Sequence, residues 1–194
     1  PAEGSVICKI IPQIRRRGGT AVPPLGFYCR EMGKMEHTAK RKRCRLPMYD
    51  YSENGAYFVT ICTDKKRKCL SDVSRGGVLP RPFGKVVENE LLALSERYEV
   101  VIDKYIIMPN HIHILLTVQR AGQSPAPTHN LSGVIGAFKS RTTKAINQMM
   151  NTPGRKLWQR SYFDHVIRNE ADYLRIWQYI DDNPAHWAED EYYI

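Results

Sequence analysis

An α+β domain is predicted by three features of the sequence: short β-branched and aromatic segments, longer stretches with apolar residues at three- and four-residue spacing, and the order in which these occur. Ala56–Thr63 (AYFVTICT) reads as a first strand. After a polar link, Gly84 precedes a helical stretch with Val87, Leu91, Leu94 and Tyr98 at helical spacing. Glu99–Met108 reads as a second strand, Pro109-Asn110 as a turn and His111–Val118 as a third strand. Residues 120–129, rich in Ala, Gly, Pro, Ser and Thr, form a loop. Leu131–Met149 is a second amphipathic helix, with Leu131, Val134, Ile135, Phe138, Ala145 and Met149 on or near one face. Lys156–Ile167 holds a fourth strand. Asn169 caps a last helix with Asp172 three positions on, and Pro184 ends it. The order β-α-β-β-α-β, followed by an added C-terminal helix, is the ferredoxin-like plan, in which helices pack on one face of a single sheet.

Composition narrows the class. The chain has 194 residues, 42% hydrophobic and 25% charged, enough for one sizeable core. No apolar run approaches the roughly 18 residues of a membrane span, so a soluble protein is expected. Lys and Arg number 29 against 20 Asp and Glu, a formal +9, which favours polyanions. Five cysteines (Cys8, Cys29, Cys44, Cys62, Cys69) form no CxxC pair, which argues against a zinc ribbon or a secreted disulfide framework and for a reducing cytoplasm.

Residues 1–40 read differently from the rest. They carry Arg15-Arg16-Arg17-Gly18-Gly19 and Pro23-Pro24 with little periodicity, and are expected to be a flexible extension, or sequence translated upstream of a start near Met35. Residues 41–194 are expected to form one domain. Lys40-Arg41-Lys42-Arg43-Cys44-Arg45 is a basic arm suited to phosphate contacts through Arg43 and Arg45, or simply to solvation.

His111 and His113 lie two apart in a strand and share one face, close enough to ligate one metal ion; Ile112, Ile114, Leu116 and Val118 take the opposite, buried face. In the last helix Tyr173, Ile176, Trp177 and Ile180 form one apolar stripe, which makes Tyr173 a core residue. Tyr179 stands at the polar edge of that stripe, four residues before Asn183 and so its neighbour on the helix surface. Edge tyrosines commonly pack; here the phenol and the amide also suit a site with a nucleophile and a metal ligand.

Together these segments resemble a known family. PNHIHILL at 109–116 is similar to the His-hydrophobic-His motif of HUH single-strand endonucleases. RLPMYDYSENGAYFVTICT at 45–63, IGAFKSRTTKAIN at 135–147 and LWQRSYFDHVIRNEADYLRIWQYIDDNP at 157–184 resemble the REP-associated tyrosine transposases, single-tyrosine transposases of insertion-sequence type. The resemblance runs from about Arg43 to the C-terminus. It implies that His111 and His113 are metal ligands, that Tyr179 on the added helix is the catalytic nucleophile, and that Asn183 supplies a third polar metal ligand or a helper. Tyr162 and Tyr173 rank below Tyr179 in alignment and helical phase. Ligand softness allows Zn²⁺ or Mn²⁺; the resemblance points to Mg²⁺ or Mn²⁺.

The implied activity is a transposase or single-strand endonuclease that cleaves and rejoins DNA through a 5′-phosphotyrosine, at hairpin-forming palindromic repeats. The implied partner is single-stranded or hairpin DNA, bound by a monomer or homodimer in the cytoplasm, nucleoid-associated when on DNA. Lys139, Arg141, Lys144, Trp158, Arg160 and Arg168 are candidate DNA contacts, by phosphate pairing and, for Trp158, by stacking on unpaired bases; the competing roles are solvated charge and core packing. Two other functions compete: a catalytically silent nucleic-acid-binding module of the same fold, and a metal-dependent hydrolase of small phosphates.

Overall fold

The computed structural model describes residues 55–74, 77–119 and 130–193. The expected extension at 1–40, the basic arm with Arg43 and Arg45, and the loop at 120–129 lie outside them. Four antiparallel strands form the main sheet: β1 (Gly55–Cys62), β4 (Val100–Ile107), β5 (His111–Val118) and β6 (Phe163–Val166), in the order β4-β5-β1-β6. This is the expected plan, and the strand ends lie within a few residues of those predicted. Only the fourth strand is much shorter than the segment expected to hold it.

The pleat divides the sheet chemically. Tyr57, Val59 and Ile61 of β1 and Ile112, Ile114, Leu116 and Val118 of β5 face one way. There they meet α1 (Pro82–Leu92), the single turn α2 (Leu94–Arg97) and α3 (Leu131–Met150) in the main core. Ala56, Phe58 and Leu115 face the other way and pack beneath Tyr173, Ile176 and Ile180 of α4 (Glu170–Asp182). Every residue of β5 is therefore buried. The expectation of helices on one face holds for α1 and α3; α4 covers the opposite face, the one that carries His111 and His113.

Local chemistry sets the helix ends. Asn130 accepts from Gly133 N at 2.8 Å and Asn169 from Asp172 N at 2.9 Å, each satisfying a first-turn amide. Helix α1 starts at Pro82, upstream of Gly84, because proline's fixed φ suits the first helical position. Gly84 sits inside the helix, where a Cβ would come within 2.1 Å of Leu70 O. The polar link proves to contain a hairpin, β2 (Ser71–Ser74) with β3 (Gly77–Pro80), separate from the main sheet. Strands of four residues with few apolar positions carry little periodic signal. No helix among the described residues is long and apolar enough to cross a membrane.

Candidate active site

His111 opens β5 and pairs with Cys62 of β1; His113 pairs with Thr60. The side chains of His111, His113, Thr60 and Phe58 thus share the face beneath α4, and the two histidines are 0% and 1% exposed. Their Nε2 atoms stand 3.0 Å apart. Asn110 Nδ2 donates to Tyr192 O at 2.7 Å, which turns Asn110 Oδ1 toward His111 Nδ1 at 2.9 Å. An amide oxygen only accepts, so Nδ1 of His111 carries the proton and its Nε2 presents a lone pair. His113 Nδ1 meets Thr60 Oγ1 at 2.8 Å, a hydroxyl able to donate or accept. Burial holds both imidazoles in the neutral form that metals require: His111 falls well below its ordinary pKa, with His113 and Lys66 adding to the effect, and His113 falls to about 3.

Tyr179 comes down from α4 onto this pair. Its ring is 5.3 Å from that of His113 and 5.9 Å, edge-on, from that of Phe58, which itself stacks on His113 at 5.2 Å. Tyr162 is elsewhere, with its hydroxyl 3.3 Å from Ser132 Oγ on the main-core side. Tyr173 is buried in the α4 core against Trp177. A second tyrosine shares the histidines' surroundings with Tyr179, one that no sequence pattern singles out. Tyr192, from the segment after α4, lies 4.6 Å from the His111 ring and 6.2 Å from that of His113.

That segment supplies a carboxylate as well. Asp190 Oδ2 is 3.9 Å from His111 Nε2, and one ligand atom from each of His111, His113 and Asp190 falls within 4.8 Å of the others. Asn183, just past α4, reaches the cluster through Asp190, donating from Nδ2 to Oδ2 at 3.2 Å; its own Oδ1 is buried with no hydrogen-bond partner. Two bare or tautomerically available imidazole nitrogens, a buried carboxylate and an unpartnered amide oxygen make a donor set that fits a divalent cation. At 3.0 Å the two Nε2 atoms share a hydrogen bond and are close enough that one cation would contact both. No spacing rule could have found Asp190, because it reaches the histidines from an irregular segment far along the chain.

The candidate DNA contacts separate into groups. Lys139, Lys144, Trp158 and Arg160 line one groove of about 1050 Å³ beside α3, joined there by Arg155 and Lys156. Within it Lys139 is committed to structure, its ammonium donating to the carbonyls of Gln159 at 2.6 Å and Arg160 at 3.0 Å. Trp158 is 5% exposed and donates from Nε1 to Thr142 Oγ1 at 2.8 Å, so its ring packs in the core and does not present a stacking face. Arg141 lies outside the groove and pairs with Glu90 of α1 at 2.8 Å. Arg168 is exposed just before α4. Gln159 N donates to Cys62 O at 2.9 Å, which ties the groove's rim to the end of the sheet where His111 stands.

A ferredoxin-like sheet with paired histidines on one strand and a tyrosine over them from an added helix is the arrangement that the resemblance to single-tyrosine transposases implies. Residues 53–183 match the family described as Transposase IS200 like, and the chain belongs to that family. It is 29% identical over 170 residues to an uncharacterised Haemophilus influenzae protein, covering 79% of this chain and 93% of the relative. A putative REP-associated tyrosine transposase of the same organism is 25% identical over 145 residues, covering 70% and 73% of the two chains. The fold is similar to that of a REP-associated tyrosine transposase solved bound to a REP hairpin, with a TM-score of 0.55, 18% identity and 74% of each chain covered.

Proposed function

We propose that this chain cleaves and rejoins single-stranded DNA beside hairpin-forming palindromic repeats, with Tyr179 as nucleophile and His111 and His113 holding a divalent Mg²⁺ or Mn²⁺ ion. The observation that carries the reading is the Tyr179 ring 5.3 Å from His113, within a buried donor set suited to a cation. Tyr179 Oη attacks a backbone phosphorus, the bond from phosphorus to the 3′ oxygen breaks, and the phenol's proton ends on the released 3′-hydroxyl. The product is a 5′-phosphotyrosine. Because the ester is conserved, attack by another 3′-hydroxyl reverses the step and joins a new end, with no nucleotide cofactor required. The ion, when bound, neutralises phosphate charge and stabilises the charge that develops in the transition state.

The chain's own residues set up this chemistry. Phe58 stacks on His113 and meets Tyr179 edge-on, which limits the ring positions open to the nucleophile. Asn110 fixes the His111 tautomer. Lys144, Arg155, Lys156 and Arg160 give the groove beside α3 a positive lining suited to a phosphodiester backbone. Trp187 and Tyr192 cover His111 at ring distances of 5.9 and 4.6 Å, so substrate reaches the histidines only when that segment withdraws. Residues 41–194 act as one domain and residues 1–40 as an extension, in the cytoplasm and at the nucleoid when on DNA. The resemblance to REP-associated relatives supports the hairpin substrate, and the basic charge supports a polyanion over a small phosphate.

The test is a denaturing gel of the protein with labelled hairpin DNA and Mn²⁺, comparing wild type, Tyr179→Phe and Tyr192→Phe. A covalent adduct that needs the metal and is lost only in Tyr179→Phe is the expected result. Loss only in Tyr192→Phe would transfer the nucleophile's role to the C-terminal segment. Binding without an adduct on any flank would leave a silent DNA-binding module.

A further inference from the structure

The geometry points to Asp190 as the third, anionic donor of the ion held by His111 and His113, with Asn183 as the residue that aims it. This rests on the metal-dependent reading of the site and changes what completes it: a carboxylate from the C-terminal segment, with the Asn183 amide one step removed.

The Asp190 side chain is 4% exposed, buried though less completely than the imidazoles it faces. A buried carboxylate is costly unless a positive charge or several hydrogen bonds compensate it. It accepts from Tyr192 N at 2.7 Å through Oδ1 and from Asn183 Nδ2 at 3.2 Å through Oδ2. Its one ion-pair contact among the described residues is His111, an imidazole the Asn110 contact leaves with a bare Nε2. The arrangement therefore sets an anion and a lone pair facing one another, 3.9 Å apart, with a second imidazole beside them. Among the described residues, Lys66 is the one cation acting on Asp190 from a distance. A divalent cation among the three would add positive charge in direct contact, and a shift of a few tenths of an ångström to about an ångström would bring a carboxylate oxygen and Nε2 to bonding distance.

Asn183 follows the pattern of a residue behind a ligand. Its Nδ2 is used on Asp190 Oδ2, which fixes the carboxylate's rotation, much as Asn110 fixes His111. Asp190 belongs to the stretch that also carries Trp187 and Tyr192 over His111. Ion loading and the seating of that stretch are consequently one equilibrium: the ion tightens the segment, and lifting the segment removes a ligand.

The experiment titrates the full chain with Mn²⁺ alone, counting free ion by electron paramagnetic resonance, and follows amide exchange at residues 191–193. Wild type, Asp190→Asn, Asp190→Glu and His111→Ala are compared, with circular dichroism confirming that each is folded without metal. Asp190→Asn should weaken Mn²⁺ binding about tenfold or more, Asp190→Glu should stay within a few-fold, and Mn²⁺ should slow exchange at 191–193 only where a carboxylate is present. Wild-type affinity in Asp190→Asn, with binding lost in His111→Ala, would overturn the role of Asp190 and leave the histidine site standing. Unchanged binding in His111→Ala, or none in wild type, would overturn both.

Discussion

Thr60 Oγ1 lies 2.8 Å from His113 Nδ1, and this contact sets which end of the imidazole carries its proton. When Thr60 donates, His113 holds its proton on Nε2 and gives it to the bare Nε2 of His111, 3.0 Å away, which satisfies the pair without metal. When Thr60 accepts, both Nε2 atoms are left with lone pairs, the form in which the proposed ion would be held. The hydroxyl serves both states by rotating. Thr60→Val keeps the shape of the side chain and loses the acceptor, so Mn²⁺ affinity should fall about 10- to 100-fold, while Thr60→Ser stays near wild type. A Mn²⁺ titration of the two variants decides this, and equal affinities would mean that Thr60 only fills space.

Asp103 sits where the β4–β5 register slips between Ile102 and Lys104. Its Oδ2 accepts from Thr117 Oγ1 at 2.7 Å, and Oδ1 is buried without a hydrogen-bond partner. Burial, only partly offset by Thr117, raises the carboxyl from its ordinary 3.8 to about 6. A group whose folded pKa is raised contributes stability that is fully present below the unfolded value and is lost as pH rises through the folded one. That window runs from near pH 4 to just above pH 6. Asp103→Asn removes the titration, so its unfolding free energy relative to wild type should improve by about 1–2 kcal/mol between pH 4 and pH 7, allowing for partial exposure. Urea titrations at the two pH values measure the difference, and a constant offset would sink the assignment.

The same contrast between local pattern and distant contact explains what could be read from the sequence. Ile112, Ile114, Leu116 and Val118 alternate with His111 and His113, so the strand, its buried face and the shared face of the histidines all follow from a two-residue period. The stripe through Tyr173, Ile176 and Ile180 likewise placed Tyr179 at the edge of α4. Periodicity says which face is apolar but not which neighbour covers it, so α4 on the histidine face was not foreseeable. Asp190, Asn110 and Thr60 act through contacts between separate elements, and no spacing encodes those. Trp158 shows the opposite limit, since basic neighbours suggest stacking while burial depends on Thr142 and Phe138 across the core.

Trp158 offers a direct separation of packing from binding. Its ring lies 6.0 Å from Phe138, and its N–H is satisfied by Thr142. Trp158→Phe removes that hydrogen bond and part of the packed volume, so the protein should lose roughly 1–3 kcal/mol of stability. Hairpin affinity, measured well below the lowered melting temperature, should stay within a few-fold. A large loss of affinity with stability intact would restore a stacking role.

The placement of Tyr179 is set two turns earlier on α4. Asp172 receives His165 Nε2 at 2.8 Å and Arg175 at 2.5 Å, its side chain 2% exposed, and it precedes Tyr179 by seven residues, so the two share a helix face. His165 stands opposite Phe58 in the β1–β6 register, and Phe58 touches both Tyr179 and His113. Asp172 thus anchors the helix to the edge strand in line with the ring that packs on Tyr179. Burial alone would raise its carboxyl, but the hydrogen bonds from His165 and Arg175 outweigh it and hold the pKa below the usual value. With a depressed folded pKa, its stabilisation is present above the ordinary carboxylate range and is lost as pH falls through the folded value. Asp172→Asn should cost about 1–3 kcal/mol at neutral pH, because a buried carboxylate loses its charge-assisted hydrogen bonds while Arg175 keeps partial access to water, and should flatten the acid limb of the stability curve. Adduct formation at saturating hairpin should slow about tenfold while hairpin affinity holds, because the altered tilt of α4 displaces Tyr179 without touching the groove. An unchanged adduct rate in a variant that has lost the expected stability would show that α4 is positioned by its apolar stripe alone.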